Sequence, residues 1–163
     1  MLKHVSPTKE GKGQTGYSVM CYSVICYTVP MPDTPSVKPS LLLVDDDQFL
    51  LNMYSLKFQN SGFDVEVVNS GLSALQKLRD GYTPSVVLCD LVMPSMDGLE
   101  FLKKVKEEKL SPRSVVIVLT NQSQSAEIDR AKEIGVDGYI VKASTIPSEV
   151  VQEVKNILAK KTK

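Results

Sequence analysis

The stretch SVVLCDLVMPSMDG, residues 85–98, decides how the rest of the chain is interpreted. It opens with a short run rich in valine and leucine that shows no alternation with polar residues. Such a run indicates a strand that is buried on both faces, as strands of parallel sheets are. Asp90 follows this run directly. An acidic residue in that place lies at the carboxyl edge of the predicted sheet, where open α/β sheets bind their ligands.

Four more short apolar runs occur on either side of this stretch, and amphipathic segments alternate with them. Glycines follow the first two of these segments, where helix C-terminal caps belong, and Pro147 stands where a last helix can begin. The alternation predicts an α/β fold, a (βα)5 doubly wound five-stranded parallel sheet. The other strands are predicted at Leu41–Val44, Val65–Val68, Val115–Leu119 and Tyr139–Val141, and the helices at 48–61, 72–80, 98–108, 124–135 and 147–160.

Residues 1–39 have a different character from the rest. A Gly/Lys/Thr-rich opening leads into a tandem Tyr-Ser-Val repeat and then into a proline-rich stretch. The repeat is apolar enough to pair as a strand, but no flanking segment supplies a sheet. We expect a disordered N-terminal extension, or a start codon assigned too early with Met31 as the true beginning. The folded domain is then predicted over residues 40–160, with a solvated basic tail at 161–163.

Charge and cysteine content limit the function classes. The chain has 19 basic and 19 acidic residues, and from residue 40 onward 15 basic and 17 acidic ones remain. This balance argues against a nucleic-acid-binding body, which needs a basic face. No apolar run has the roughly 20 residues that a membrane-spanning helix needs. Three cysteines, two of them spaced C-x4-C, form no disulfide framework, which suggests a reducing, cytoplasmic setting.

Chemically active side chains follow four of the predicted strands. Three aspartates, residues 45–47, end the first strand, Asp90 ends the third, and Thr120 and Lys142 end the fourth and fifth. Carboxylates crowded at one edge repel one another and call for a cation, and an all-oxygen ligand set favours Mg²⁺. An ionised carboxylate can attack phosphorus without a general base, and an ammonium suits a phosphoryl oxygen. The pattern therefore predicts phosphoryl transfer to an aspartate.

Four segments together resemble the receiver domain of two-component response regulators. They are LLLVDDD at residues 41–47, VLCDLVMPSMDG at 87–98, VLT at 118–120 and GYIVK at 138–142. The resemblance covers about residues 40–160 and implies the flavodoxin-like receiver fold. Its most specific part is D-x-x-M-P-x-M-D-G, which occurs in the expected order and spacing with the acidic residues, the threonine and the lysine.

The resemblance implies a role for each matching residue at the metal site. Asp90 resembles the phosphoacceptor, which is also a metal ligand. Asp46 resembles the direct Mg²⁺ ligand, and Asp45 the residue that holds a metal-bound water. Val92 stands where the family offers a backbone carbonyl to the ion. Asp47 is expected to cap a helix and not to bind the metal.

The resemblance also implies a switch. Lys142 resembles the lysine that contacts the phosphoryl group. Thr120 resembles the hydroxyl that moves toward the acyl phosphate, and Tyr139 the aromatic residue whose rotamer follows that movement. We expect Asp97 to cap the third helix.

Three positions depart from the commonest family pattern. Asn121 follows the switch threonine, where a small residue is usual. Its larger side chain should narrow access for a phosphodonor or place an amide beside the phosphoryl group. Ala143 follows Lys142, where the family usually has a proline in a cis peptide. A cis bond before alanine costs about 3 kcal/mol, so the loop is expected to be either trans or strained. Val92 cannot orient an attacking water, which suggests slow hydrolysis of the phosphorylated state.

The sequence thus favours a single-domain response regulator, a signalling protein and not an enzyme. It is expected to take its phosphoryl group from a sensor histidine kinase or a histidine phosphotransfer protein and to signal through an unknown downstream protein. We expect a monomer or a phosphorylation-dependent dimer, without a nucleic-acid or membrane partner. The alternatives are a pseudo-receiver that only binds partners and, ranked last, an aspartyl-phosphate phosphohydrolase of the haloacid dehalogenase type.

Overall fold

The structure, a computed structural model, describes residues 17–22, 25–30, 38–121 and 125–161, with side chains over 38–121 and 127–161. The chain divides into two compact units, Met1–Val37 and Lys38–Lys163. This division falls two residues before the predicted one. In the described part of the chain, no helix has the length and apolar character needed to cross a membrane.

The first unit contains a two-stranded antiparallel hairpin, formed by β1 (Tyr17–Tyr22) and β2 (Ile25–Pro30). Over these twelve residues the expectation of a disordered extension is wrong. The tyrosine, valine and threonine residues of the repeat favour extended backbone. The first copy lies in β1 and the third copy, Tyr27–Val29, lies in the partner strand β2. The other residues of the predicted extension up to residue 37, including Met31, lie outside the described residues.

The second unit is built on a five-stranded parallel sheet, as predicted. Its strands are ordered β4-β3-β5-β6-β7, so the chain moves from β3 to one side and then crosses to the other. This reversal leaves a crevice beyond the carboxyl ends of β3 and β5. The strands are β3 (Ser40–Val44), β4 (Asp64–Val68), β5 (Val86–Cys89), β6 (Val115–Thr120) and β7 (Gly138–Val141).

Five helices cover the two faces of the sheet and lie within two residues of the predicted bounds. Alternate residues of β3 enter two separate cores: Leu42 and Val44 pack on the side of α2 and α3, and Leu41 and Leu43 on the side of α1 and α5. Both faces of the sheet are therefore buried, which explains the unbroken apolar runs. The helices are α1 (Gln48–Asn60), α2 (Gly71–Arg79), α3 (Gly98–Glu107), α4 (Ser125–Ile134) and α5 (Pro147–Lys161).

Helix caps confirm the predicted boundaries. Asp47 accepts hydrogen bonds from the amides of Phe49 and Leu50 at 2.8 and 3.2 Å, and Asp97 accepts one from the Glu100 amide at 2.7 Å. These carboxylates satisfy amides that would otherwise lack partners in the first turn. Both aspartates therefore cap helices, as expected. Beyond α1 and α2 the chain turns at glycines in the left-handed region, which larger residues avoid.

The basic tail predicted for residues 161–163 does not begin at Lys161. That residue belongs to α5, and its ammonium donates to the Asp137 carboxylate at 2.7 Å and to the Ser114 carbonyl at 3.1 Å. The same carboxylate accepts from the Val116 amide at 2.8 Å. These hydrogen bonds connect the end of α5 to the start of β6. They form because α5 extends back along the sheet as far as the amino end of that strand. Residues 162 and 163 lie outside the described residues.

Candidate functional site

The parallel register brings the ends of β3 and β5 side by side. Val44 pairs with Cys89, and the Asp90 amide donates to the Val44 carbonyl at 2.9 Å. Asp45 and Asp90, the residues that follow these two strands, therefore lie next to each other at the crevice. On the far side of β5, Thr120 pairs with Val141, so Lys142 follows at the same edge of the sheet.

Three carboxylates converge at this edge. Asp45, Asp46 and Asp90 each offer an oxygen, and these oxygens lie within 4.8 Å of one another. Asp45 and Asp90 are buried, with 2% and 6% of their surface exposed, whereas Asp46 faces solvent. An all-oxygen donor set with one open side fits Mg²⁺, which binds few protein carboxylates and keeps several waters. Of the predicted metal residues, the structure thus brings the three aspartates together.

Lys142 bridges the two buried carboxylates. Its ammonium lies 2.5 Å from Asp45 Oδ2 and 2.7 Å from Asp90 Oδ2, and its side chain is only 5% exposed. The described part of the chain has no cis peptide bond, so the bond before Ala143 is trans. Residues Lys142–Ser144 form one turn of 3-10 helix. The lysine therefore reaches both carboxylates without the family's usual proline.

Charge balance at the site is incomplete. Burial raises the pKa of Asp45 above its ordinary value, although hydrogen bonds from Lys142 and the Asp47 amide lower it. Burial lowers the pKa of Lys142. Its hydrogen bonds to Asp45 and Asp90 and the negative charges of both residues raise the pKa by more, so the pKa lies above the ordinary lysine value. The lysine is therefore held charged at neutral pH. One ammonium stands against three carboxylates, which leaves the site able to accept a cation.

The remaining predicted residues lie on β6, on β7 and in the loop after Asp90. Thr120 is fully buried at the end of β6. Val92 donates its amide to Asp90 Oδ1 at 3.3 Å, while about half of its surface is exposed. Tyr139 lies further back on β7, partly buried against the core on the side of α2 and α3. Burial, followed by the charges of Glu127 and Asp90, raises the pKa of its hydroxyl.

Gly98 is a site residue whose role sequence analysis missed. A Cβ atom at this position would overlap the carbonyl oxygen of Asp90 and lie 2.8 Å from the Cα of Leu91. The Gly98 amide also donates to the Leu91 carbonyl at 2.8 Å. The first residue of α3 thus packs directly against the backbone that carries Asp90. The signal in the sequence was the glycine that follows Asp97, but only the structure shows which backbone it approaches.

The fold and the site match a known family. Residues 41–155 match the family model of the response regulator receiver domain. The chain belongs to the response regulator receiver family. Among solved structures it is similar to the chemotaxis response regulator CheY4 of Vibrio cholerae, with 26% identity, a TM-score of 0.68, and coverage of 74% of this chain and 99% of that one. A CheY-like receiver domain protein from Methanospirillum hungatei gives a TM-score of 0.69 at 26% identity, covering 76% and 96%.

Curated relatives of this receiver are longer regulators. The transcriptional regulatory protein CpxR homolog of Haemophilus influenzae is 37% identical over 72% of this chain and 49% of its own length. The DNA-binding response regulator MtrA of Mycobacterium tuberculosis is 30% identical over 74% of this chain and 50% of its own length. The chain spans about half the length of the curated relatives it matches.

These relatives correct one expectation. The charge balance led us to exclude a nucleic-acid partner, and that exclusion is wrong, because a relative that shares this receiver, MtrA, is named a DNA-binding response regulator. The physical reason is that the charge of a receiver describes only the receiver's own surface. In a regulator with two parts, the surface that binds DNA need not lie on the part that carries the phosphorylation site.

We expect Gly98→Ala to impair the site by displacing the Asp90 backbone. Its matched control is Gly71→Ala, because Gly71 is also the first residue of a helix that follows a capping side chain. A Cβ at Gly71 would meet Met96 atoms at 3.3 Å, including a side-chain carbon that can move. The midpoint temperature of thermal unfolding should fall strongly for Gly98→Ala and little for Gly71→Ala. Equal behaviour of the two variants would contradict the close-packing argument.

We expect Asp45→Asn to raise the melting temperature when no divalent cation is present. Folding raises the pKa of Asp45, so the folded protein favours the protonated form of this carboxyl group. The free energy of unfolding therefore rises as the pH falls through that pKa, and at neutral pH the ionised Asp45 destabilises the folded state. Mg²⁺ at a hundred times its Kd should stabilise the unmodified protein by about 2.7 kcal/mol and the variant by less. Differential scanning calorimetry with EDTA and with Mg²⁺ tests this. Asp47→Asn, at the helix cap, is the control and should behave like the unmodified protein.

Proposed function

We propose that the protein is a phosphorylation-driven signalling receiver that accepts a phosphoryl group on Asp90 in a Mg²⁺-dependent reaction. The observation that carries the proposal is the contact of one buried ammonium, that of Lys142, with both Asp45 and Asp90 beside a third carboxylate. This arrangement fits a phosphoryl group that arrives with negative charge at a negatively charged edge. Lys142 would contact one of its oxygens.

The donor is proposed to be a phosphohistidine of a sensor kinase or phosphotransfer protein. An Asp90 carboxylate oxygen forms a bond to phosphorus as the bond between phosphorus and the histidine nitrogen breaks, and the leaving imidazole takes up a proton from solvent. Val92 holds Asp90 Oδ1 through its amide at 3.3 Å, and Lys142 holds Oδ2 at 2.7 Å. These two contacts fix the orientation of the carboxylate, and the transfer needs no further base.

The three aspartates would hold the metal ion, with Asp46 on the open side and the Val92 carbonyl as a further proposed ligand. When bound, Mg²⁺ would neutralise charge that otherwise repels the incoming phosphoryl group. Burial of Asp45 and Asp90 strengthens this need, because ionised groups lose hydration when they are buried. The residues themselves supply the oxygen ligands and keep them within 4.8 Å of one another.

Output is proposed to follow from Thr120 and Tyr139. Thr120 is fully buried beside the site, so a hydrogen bond from its hydroxyl to a new phosphoryl oxygen would require movement within the core. Tyr139 is only partly buried on the neighbouring strand, and its ring is proposed to follow this movement. The surface of α4, β7 and α5 would then change its affinity for a partner. In the relatives named as DNA-binding regulators, the part beyond the receiver is a natural recipient of such a change.

The helix that begins beside the acidic cluster offers a docking surface for the donor. Phe49 and Leu56 on α1 are 74% and 60% exposed, although both are large and apolar. They lie seven residues apart, which places them on one face of the helix. Exposed apolar side chains beside an active edge are typical of an interaction surface. We propose that they pack against the helix that carries the phosphorylated histidine.

The alternatives fit the site less well. A pseudo-receiver has no need for an ammonium that bridges two buried carboxylates, each of which costs free energy to bury. A hydrolase of the haloacid dehalogenase type needs an acid/base aspartate two residues after the nucleophile, and Val92 occupies that position. Phosphorylation chemistry at Asp90 therefore remains the function that the geometry supports best.

Incubation with acetyl phosphate and Mg²⁺ should add the mass of one phosphoryl group to the protein. The adduct should be labile to base, and it should be absent in Asp90→Asn and in the presence of EDTA. Asp80→Asn, which changes an exposed aspartate at the end of α2, is the matched control and should be phosphorylated normally. Intact-mass spectrometry measures the result. No adduct under any condition would favour the pseudo-receiver, and rapid phosphate release without an adduct would favour the hydrolase.

Val92→Asn should shorten the half-life of the phosphorylated protein several-fold. The exposed valine cannot hold a water molecule against the phosphoryl group, whereas an amide at that position can. Val67→Asn, at another exposed valine on β4, is the control and should leave the half-life unchanged. Loss of the adduct with time, after removal of acetyl phosphate, gives the rate. An unchanged half-life in Val92→Asn would show that the exposed valine does not limit hydrolysis.

A further inference from the structure

The hairpin places two cysteines opposite each other. In the antiparallel register, Cys21 on β1 is the direct partner of Cys26 on β2. Only residues 23 and 24 separate the two strands. With this separation, residues five apart in sequence become partners in the second pair from the turn, and C-x4-C is that spacing. The C-x4-C spacing is therefore the one that this register brings into a direct pair.

Directly paired positions of an antiparallel hairpin are close enough for a disulfide. Their Cα atoms lie about 4.5 Å apart in a non-hydrogen-bonded pair and about 5.5 Å apart in a hydrogen-bonded one. Disulfides span Cα separations of about 4.4–6.8 Å, so both kinds of pair fall within the range. Partner positions also lie on the same face of the ribbon. The backbone would not have to rearrange for the two residues to be joined.

We propose that Cys21 and Cys26 form a reversible redox site, a dithiol that a small-molecule disulfide such as oxidised glutathione converts into a cross-strand disulfide. One cysteine thiolate attacks the glutathione disulfide and releases one glutathione thiolate. The other cysteine thiolate then attacks the mixed disulfide and releases the second. The two protein thiols lose two electrons and two protons, and glutathione disulfide is reduced to two thiols. In reducing compartments, disulfides that do form are usually transient or redox-sensing ones.

The third cysteine provides an internal contrast. Cys89 is fully buried on β5, and its thiol lies 3.0 Å from the carbonyl oxygen of Asp90. Burial, followed by the charges of Asp90 and Asp45, raises the pKa of this thiol. Because Cys89 is fully buried, an oxidant in solution has no access to its thiol in the folded protein. Oxidation should therefore remove two thiols and leave the third.

The test equilibrates the full chain with glutathione buffers of graded ratio, followed by acid quenching, alkylation of free thiols and intact-mass spectrometry. We expect a product that has lost two hydrogen atoms and two alkylatable thiols and carries no glutathione. Chymotrypsin cleaves after Tyr22, between the two cysteines, so the resulting peptides should remain joined until reduction. Cys21→Ser and Cys26→Ser should each abolish the product, whereas Cys89→Ser should retain it.

A register control separates hairpin pairing from mere proximity in sequence. The double change Cys26→Ser with Tyr27→Cys moves the second thiol to the partner position of Met20, on the other face of the ribbon. Half-conversion of this variant to the disulfide should require a ratio of oxidised to reduced glutathione that is at least tenfold higher. Equal midpoints for this variant and the unmodified protein would overturn the proposal. Stable glutathione adducts or disulfide-linked dimers in place of the internal disulfide would overturn it as well.

Discussion

The contact of Lys142 with Asp45 and Asp90 is the interaction on which the receiver site depends. Two buried carboxylates beside a third would repel one another, and the ammonium at 2.5 and 2.7 Å makes their proximity tolerable. It does so incompletely, because a single positive charge stands against three negative ones. The remaining negative charge creates the demand for a divalent cation, and the same ammonium is placed to meet a phosphoryl group. Stability and proposed chemistry thus depend on one charge arrangement.

The parallel sheet is what makes that contact possible. Lys142 lies 97 residues from Asp45 and 52 from Asp90 in sequence, yet all three follow strands that end at one edge. The order of the strands places β5 between β3 and β6, and the crossing of the chain from β4 to β5 creates the crevice. Gly98 adds a second constraint, since α3 can begin against the Asp90 backbone only where no side chain intervenes. The site is therefore a property of packed strand ends and not of any one loop.

The family relationship and the hairpin concern different parts of the chain. The family match covers residues 41–155, so the shared chemistry belongs to the second unit. Cys21 and Cys26 lie on β1 and β2, outside that match, and neither belongs to the acidic site. The name of MtrA, a DNA-binding response regulator, indicates in turn that the charge of a receiver does not limit what a longer regulator of this family binds. Each unit therefore needs its own functional test.

The sequence by itself determined the α/β fold, the strand and helix positions to within two residues, and the set of side chains at the strand ends. It could do so because burial on both faces leaves unbroken apolar runs, and because capping residues such as Asp47 and Asp97 act locally. Only the tertiary structure decided that Lys142 contacts both aspartates, that Gly98 packs against the Asp90 backbone, that Lys161 contacts Asp137 and Ser114, and that Cys21 and Cys26 are paired positions of the hairpin. Each of these depends on register or on close approach between distant segments, which no local pattern of residue types encodes.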